Sequence, residues 1–421
     1  MRLSSYVVGA LVKLRLNDIG SWILVCLAII AGIPVVLGIG VVEAILRFRA
    51  LLGCRAGRAY EHVLLTPDPV LGYRNRGLFD SRSVPAEVHT LDYYGRITVT
   101  TDESGCRNVP WNRPDGTART IVVLGDSSTF GWNLSDDATI PARMALHLNH
   151  KGSTAWRVIN AGVNGFCTLQ MFRLSMEILP KAEPDYVLVC SDWNTFFNTL
   201  RYRSLWSPGC IAGLAHSDLP DRYALSHWQT PRLLCRARLA LGNARVRQQH
   251  GLEWLFTRCR RWKENRLYLE STPWRREMHS YLFALAAAAR SCGAVPLFTT
   301  VAGLCHPSAS DNERITLSSH ASKHVASVRR GPEGLASEAF DFWADCMVEI
   351  NSVVTAACTE HAVGLIDVGA AMERVRGGER ASAFYDLFHY GSDGADIVSR
   401  KLAEEILSRN RRPGVQCTGR P

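Results

Sequence analysis

The stretch TIVVLGDSSTFG, residues 120–131, decides the fold. Its first five residues are β-branched or apolar without a polar break, the pattern of a short strand buried on both faces. The run then meets Gly125, Asp126, Ser127 and Ser128. That puts a serine on a sharp strand-to-helix turn, at the carboxyl edge of whatever sheet the strand joins, where open α/β sheets bind their ligands. A serine at a helix start also lies near backbone N–H groups that can face an anion, which suits a nucleophile whose attack makes an oxyanion. Taken alone, Ser127, Ser128 and Thr129 have a plainer reading as helix caps.

Working outward, further strands are expected at 157–160, 186–190, 294–299 and 364–367. Helical patterns lie between them at 140–149, 279–291 and 342–361, and another follows at 393–408. This order describes an α/β protein whose parallel sheet is covered by helices on both faces. Two insertions interrupt it. Residues 201–270 hold 13 Lys/Arg and 5 Asp/Glu with Trp206, Trp228, Trp254 and Trp262 interleaved, and 306–340 is polar and reads as a loop. The basic insertion admits three readings: a solvated helical cap, a surface that meets anionic lipid headgroups, or an anionic-glycan groove.

The chain has 421 residues, 47% hydrophobic and 21% charged, which excludes a disordered chain, a collagen-like fibre and a multi-span transporter. Its formal net charge of +9 rests mostly on Arg, and no nucleic-acid motif accompanies it. Thirteen Cys occur without any CxxC spacing, so zinc-ribbon and thioredoxin-like sites are excluded. A chain with so large a core has no need of a disulfide framework, and most of the thiols are expected to be buried and free. Residues 21–42 (SWILVCLAIIAGIPVVLGIGVV) carry no charge. About 22 residues at about 1.5 Å each span the roughly 30 Å of hydrocarbon, so this is expected to be an uncleaved transmembrane helix contacting membrane lipid. Arg2, Lys13 and Arg15 precede it and Arg47, Arg49, Arg55 and Arg58 follow it, which leaves the positive-inside count close to a tie. Residues 1–20 form its flank, 43–118 a juxtamembrane collar with short strands, and 410–421 a tail without periodicity that is expected to be disordered.

Four short motifs follow one another in the order of a known family. Residues 125–128 (GDSS) resemble block I of the SGNH, or GDSL-type, hydrolases; 159–165 (INAGVNG) resemble block II, ending on Gly165. Residues 187–194 (VLVCSDWN) end a strand as block III does, with Asn194 as its asparagine, and 386–389 (DLFH) are the DxxH of block V. The resemblance covers 118–409 with both insertions. It departs from the family at Ser128, at Asp192-Trp193 in place of a Gly-rich lead, and at Thr195 where Asp is frequent. What it implies is a three-layer α/β/α, flavodoxin-like domain with a five-stranded parallel sheet, in which Ser127 is the nucleophile, His389 its general base and Asp386 the carboxylate that orients the imidazole. It further implies an oxyanion hole made of the Ser127 and Gly165 backbone N–H groups and the Asn194 side-chain amide. The chemistry is coherent: a serine hydroxyl needs a positioned base, and the base a third group that fixes its tautomer. Each residue alone has a blander reading, Gly165 as a turn, Asn194 as a cap and His389 as an ordinary histidine; their order is what carries the inference.

Weaker candidates are His320 and His324, spaced i, i+4 but without the Glu of HExxH. Cys167 and Cys190 read as small buried hydrophobes, and Asp136 and Asp137 as caps of the next helix. The expectation is a membrane-anchored serine esterase that needs neither metal nor cofactor, acting on O-acetyl groups of envelope glycans or on lipid esters. A glycan O-acyltransferase and a non-catalytic anchored binding protein are the rival readings. The catalytic domain is expected outside the cytoplasm.

Overall fold

The structure is a computed structural model that describes residues 64–68, 70–83, 97–113, 118–151, 154–190, 193–202, 268–324 and 337–410. The expected transmembrane helix at 21–42, its flank, the greater part of the basic insertion, Ser191-Asp192 and the tail after Asn410 lie outside the described residues. Among those described, no helix is long and apolar enough to cross a membrane.

Five parallel strands form the central sheet: β3 (Arg119–Gly125), β4 (Trp156–Gly162), β5 (Tyr186–Cys190), β6 (Val295–Thr299) and β7 (Gly364–Ile366). Their lateral order is β4-β3-β5-β6-β7. The chain thus starts inside the sheet, steps outward to β4, returns past β3 to β5 and proceeds to the far edge, the doubly wound order of flavodoxin-like folds. Ile121, Val122, Val123, Val187 and Leu188 are fully buried, which is why these strands read as unbroken apolar runs rather than alternating ones. Of the helices, α2 (Ile140–Lys151) packs against α10 (Ser392–Asn410), while α3 (Thr168–Ala182), α5 (Thr272–Ser291) and α7 (Ser337–Glu360) form a second group, with α5 touching both of the others. The nucleophile turn is the four-residue α1 (Ser127–Phe130), the short α4 (Asn194–Tyr202) follows β5, and the short α8 (Val368–Glu373) follows β7.

The segment read as a polar loop, 306–340, requires correction. Asp311–His324 is an α-helix, α6, and α7 already begins at Ser337. Ser310 and Glu313 form a reciprocal cap, with the Ser310 N–H donating to Glu313 Oε2 at 3.0 Å and the Glu313 N–H donating to Ser310 Oγ at 3.4 Å. This S-x-x-E signal was present in the sequence. It was masked by a weak apolar stripe, since Leu317 and Ala321 are the buried hydrophobic side chains that the helix turns inward.

The described part of the expected collar joins the main body. The antiparallel pair β1 (Leu65–Asp68) and β2 (Gly72–Asn75) places Leu71 and Tyr73 in the same core as the central sheet. The Asn75 side chain donates to Gly162 O at 3.0 Å, and Arg107 N donates to Asn160 O at 2.9 Å. One side-chain and one backbone hydrogen bond thereby attach this segment to β4.

Candidate active site

β3 delivers Ser127, β4 leads to Gly165 and β5 to Asn194. Because β4 and β5 are the two neighbours of β3, the three residues arrive at one sheet edge, at the point where the winding reverses. Close packing shapes this corner. A Cβ on Gly162 would lie 2.3 Å from the Phe130 backbone nitrogen, so only glycine lets α1 lie against the end of β4. Gly165 holds φ +76° in a turn that Phe166 N closes onto Val163 O at 3.1 Å. The same loop is tied to Asn194's helix by Thr168 and Thr195, whose hydroxyl oxygens are 3.0 Å apart. Thr195, a departure from the family pattern, is therefore the link between the second and third motifs.

His389 Nε2 lies 2.8 Å from Ser127 Oγ, and His389 Nδ1 lies 2.7 Å from Asp386 Oδ2. The other Asp386 oxygen accepts the backbone N–H groups of Phe388 and His389 at 2.9 and 2.8 Å. A D-x-x-H turn thus fixes both ends of the imidazole from one tight loop. Burial alone would lower the His389 pKa, but the charge and hydrogen bond of Asp386, with a smaller contribution from Asp126, raise it above the ordinary imidazole value. Burial acts on Asp386 in the opposite sense, yet His389 and the two N–H donors hold its carboxyl below the usual carboxylate range. Ser128 does not compete: its Oγ points to Phe388 O at 3.3 Å.

Sequence reasoning missed two groups. Asp126 is buried and caps α1 through Ser128 N at 2.8 Å, and its second oxygen lies 3.4 Å from Asn194 Nδ2. Burial pushes its pKa up to about 6 although backbone N–H groups of Ser128, Trp193 and Thr129 oppose the shift. Arg107 is the second. Its guanidinium donates to Phe130 O at 2.8 Å, Gly131 O at 2.7 Å and Leu134 O, and pairs through Nε with Asp136 Oδ1 at 2.9 Å. It closes the carbonyl end of the nucleophile turn from below. Asp136, expected to cap a helix, is instead the counter-ion of Arg107 and accepts the Thr100 hydroxyl at 2.6 Å. No pattern within a single element announces such a contact. The glycine and asparagine at positions 131 and 133, both at positive φ, were the one local sign that this turn needed support.

The aromatic rings of Trp193, Trp343 and Phe388 pack around the loop that carries His389, with Trp193–Phe388 centroids 4.8 Å and Trp343–Phe388 centroids 4.9 Å apart. Trp132 stands 6.0 Å from the His389 ring. Cys167 and Cys190 are buried. His320 is engaged with Phe384 O at 2.7 Å, and the His324 side chain lies outside what is described.

A doubly wound parallel sheet with a hydrogen-bonded Ser–His–Asp line at its switch point defines a class, the α/β/α proteins with a serine triad. No protein-family model matches the chain, and no curated protein does. Among solved structures it is similar to LAE5, an alpha/beta hydrolase enzyme from the metagenome of Lake Arreo, Spain (12% identity, 68% of this chain and 95% of that chain, TM-score 0.38). It is similar to a member of the lipolytic protein G-D-S-L family from Veillonella parvula (10% identity, 69% and 100%, TM-score 0.37). It is also similar to Axe2, an acetylxylan esterase from Geobacillus stearothermophilus (15% identity, 69% and 95%, TM-score 0.37). Likeness at this level adds no argument of its own, so the functional reading rests on the geometry of the site.

Proposed function

We propose that the chain is a serine ester hydrolase working through an acyl-enzyme on Ser127. The observation that carries the reading is the unbroken line from Ser127 Oγ through both nitrogens of His389 to Asp386, at 2.8 and 2.7 Å. In this mechanism Ser127 Oγ attacks the ester carbonyl carbon while His389 Nε2 takes its proton, and Asp386 stabilises the imidazolium that forms. The oxyanion receives hydrogen bonds from the backbone N–H groups of Ser127 and Gly165 and from the Asn194 amide. His389 then returns the proton to the leaving alcohol, and water repeats the sequence to release the acid. The substrates we assign are O-acetyl groups on envelope glycans or lipid esters. The chain is held to the membrane through 21–42, with the catalytic domain outside the cytoplasm.

The test is labelling of the full chain in detergent with a fluorophosphonate, followed by peptide mass analysis and hydrolysis of short- and long-chain nitrophenyl esters. An adduct on Ser127, with hydrolysis lost in Ser127→Ala, is expected. An adduct on Ser128, or hydrolysis that survives Ser127→Ala, would reject the assignment.

A further inference from the structure

His279, Glu360 and His361 meet away from the triad. His279 lies on α5, Glu360 is the last residue of α7 and His361 follows it, just before the chain enters the amino end of β7. The triad occupies the carboxyl edge of the same sheet. The three side chains each offer a ligand atom, and these atoms lie within 4.8 Å of one another. His279 Nε2 is 3.1 Å from Glu360 Oε2, and His361 Nε2 is 3.9 Å from Glu360 Oε1. The two imidazoles are inclined at 57° with centroids 5.0 Å apart, and Phe283 packs on the His361 ring at 4.6 Å, which restricts its rotation.

We propose that His279, Glu360 and His361 bind one divalent transition-metal ion of the zinc type. A pair of histidines and a carboxylate, with a fourth position left for water, is a tetrahedral zinc donor set. Bonds of about 2.0–2.1 Å in that geometry put ligand atoms about 3.3 Å apart. The His279–Glu360 spacing already meets this, and the exposed Glu360 side chain is free to turn and bring its other oxygen to the same ion.

A simple ion pair between His279 and Glu360 explains less. It leaves His361 Nε2, shielded from solvent and without a hydrogen-bond partner among the described residues, at the cost of an unpaired buried polar atom. An ion shared by the three residues gives that nitrogen a bond. The site also sits at the carbonyl end of the 24-residue helix α7, where the helix dipole favours a cation. Arg290 already exploits this, donating to His361 O at 2.7 Å and to Ala362 O at 3.0 Å. The ion would fasten α5 to the α7–β7 junction and take no part in the reaction at Ser127.

The experiment uses the full chain with its accessible thiols blocked by N-ethylmaleimide, so that cysteine does not compete for metal. Zinc chloride is titrated against a chromophoric zinc indicator, and the melting temperature is read with and without zinc. The wild type is expected to hold one zinc more than His279→Ala or His361→Ala, and zinc is expected to raise the melting temperature of the wild type alone. Circular dichroism reports whether each variant is folded, and Glu360→Gln, a change at an exposed position, substitutes for any that is not. Equal zinc stoichiometry in the wild type and the folded variants overturns the proposal.

Discussion

Ser127 and Ser128 differ by one position and by everything that follows from it. Ser127 Oγ faces His389 Nε2, whereas Ser128 Oγ is spent on Phe388 O. Ser127→Ala and His389→Ala should therefore each lower kcat by on the order of 10⁶, and the double variant scarcely further, because the two act as a unit; ester hydrolysis by Ser128→Ala should stay within about tenfold of wild type. Asn194→Ala removes one oxyanion donor and should lower kcat by about 10²–10³ with KM little changed. The pH profile follows from His389. Only the free imidazole accepts the serine proton, and since its pKa is raised, the acid limb of kcat/KM should have its midpoint above the ordinary value of about 6.5. Asp386→Asn removes the largest upward influence on His389, so that limb should move to lower pH while kcat falls by about 10⁴. Asp126→Asn keeps an oxygen to accept from Ser128 but removes a second negative charge that faces His389. It should shift the limb in the same direction and by less. A limb that stays in place in both variants would separate the charge of His389 from these carboxylates.

Among the elements, the support beneath α1 comes from a segment that precedes the sheet. Arg107 reaches from the 97–113 segment to three carbonyls of the 130–134 turn and to Asp136. Arg107→Met leaves a buried carboxylate without its cation and should cost about 3–5 kcal/mol in a urea titration. Because that turn continues from α1, whose first residue is Ser127, kcat should fall more than KM rises. Arg107→Lys restores the charge but not the planar fork, so it should recover more stability than activity. This contact also marks the limit of what the chain's sequence discloses. The five strands were legible because strands buried on both faces must be apolar throughout, and the 386–389 turn because it resembles a family motif that stands in order with three others. Arg107 was not legible, since three of its partners are backbone carbonyls, which have no sequence identity, and its carboxylate partner Asp136 lies 29 residues along the chain. Helix α6 was hidden for a related reason: its stability comes from the Ser310–Glu313 cap and from α9 (Gly377–Ala383) packed beside it, not from a broad apolar stripe. Ser310→Ala should cost about 1 kcal/mol, readable as a lower melting temperature with the ester hydrolysis rate unchanged.

For the whole molecule the question is the compartment, and the thiols bear on it. An oxidising compartment endangers cysteines, which weighs against an extracytoplasmic domain in a chain that has thirteen. Seven lie among the described residues, all free and all but Cys292 buried. The reactive form is the thiolate. Burial pushes Cys106 up to about 12 and Cys358 up to about 11, and raises Cys190 and Cys305 as well. These four thiols stay protonated at neutral pH, which weakens the objection where they are concerned. What remains is that long domains translocate largely regardless of nearby charge, while the Lys/Arg flanking 21–42 are too evenly divided to oppose it. Alkaline phosphatase fused after residue 60 and, separately, at the C-terminus should therefore be active in both fusions, since that enzyme needs the oxidising side to form its own disulfides. A C-terminal green fluorescent protein that glows while both phosphatase fusions stay silent would put the triad in the cytosol. The substrate search would then turn to ester-bearing lipid or glycan intermediates on that face of the membrane.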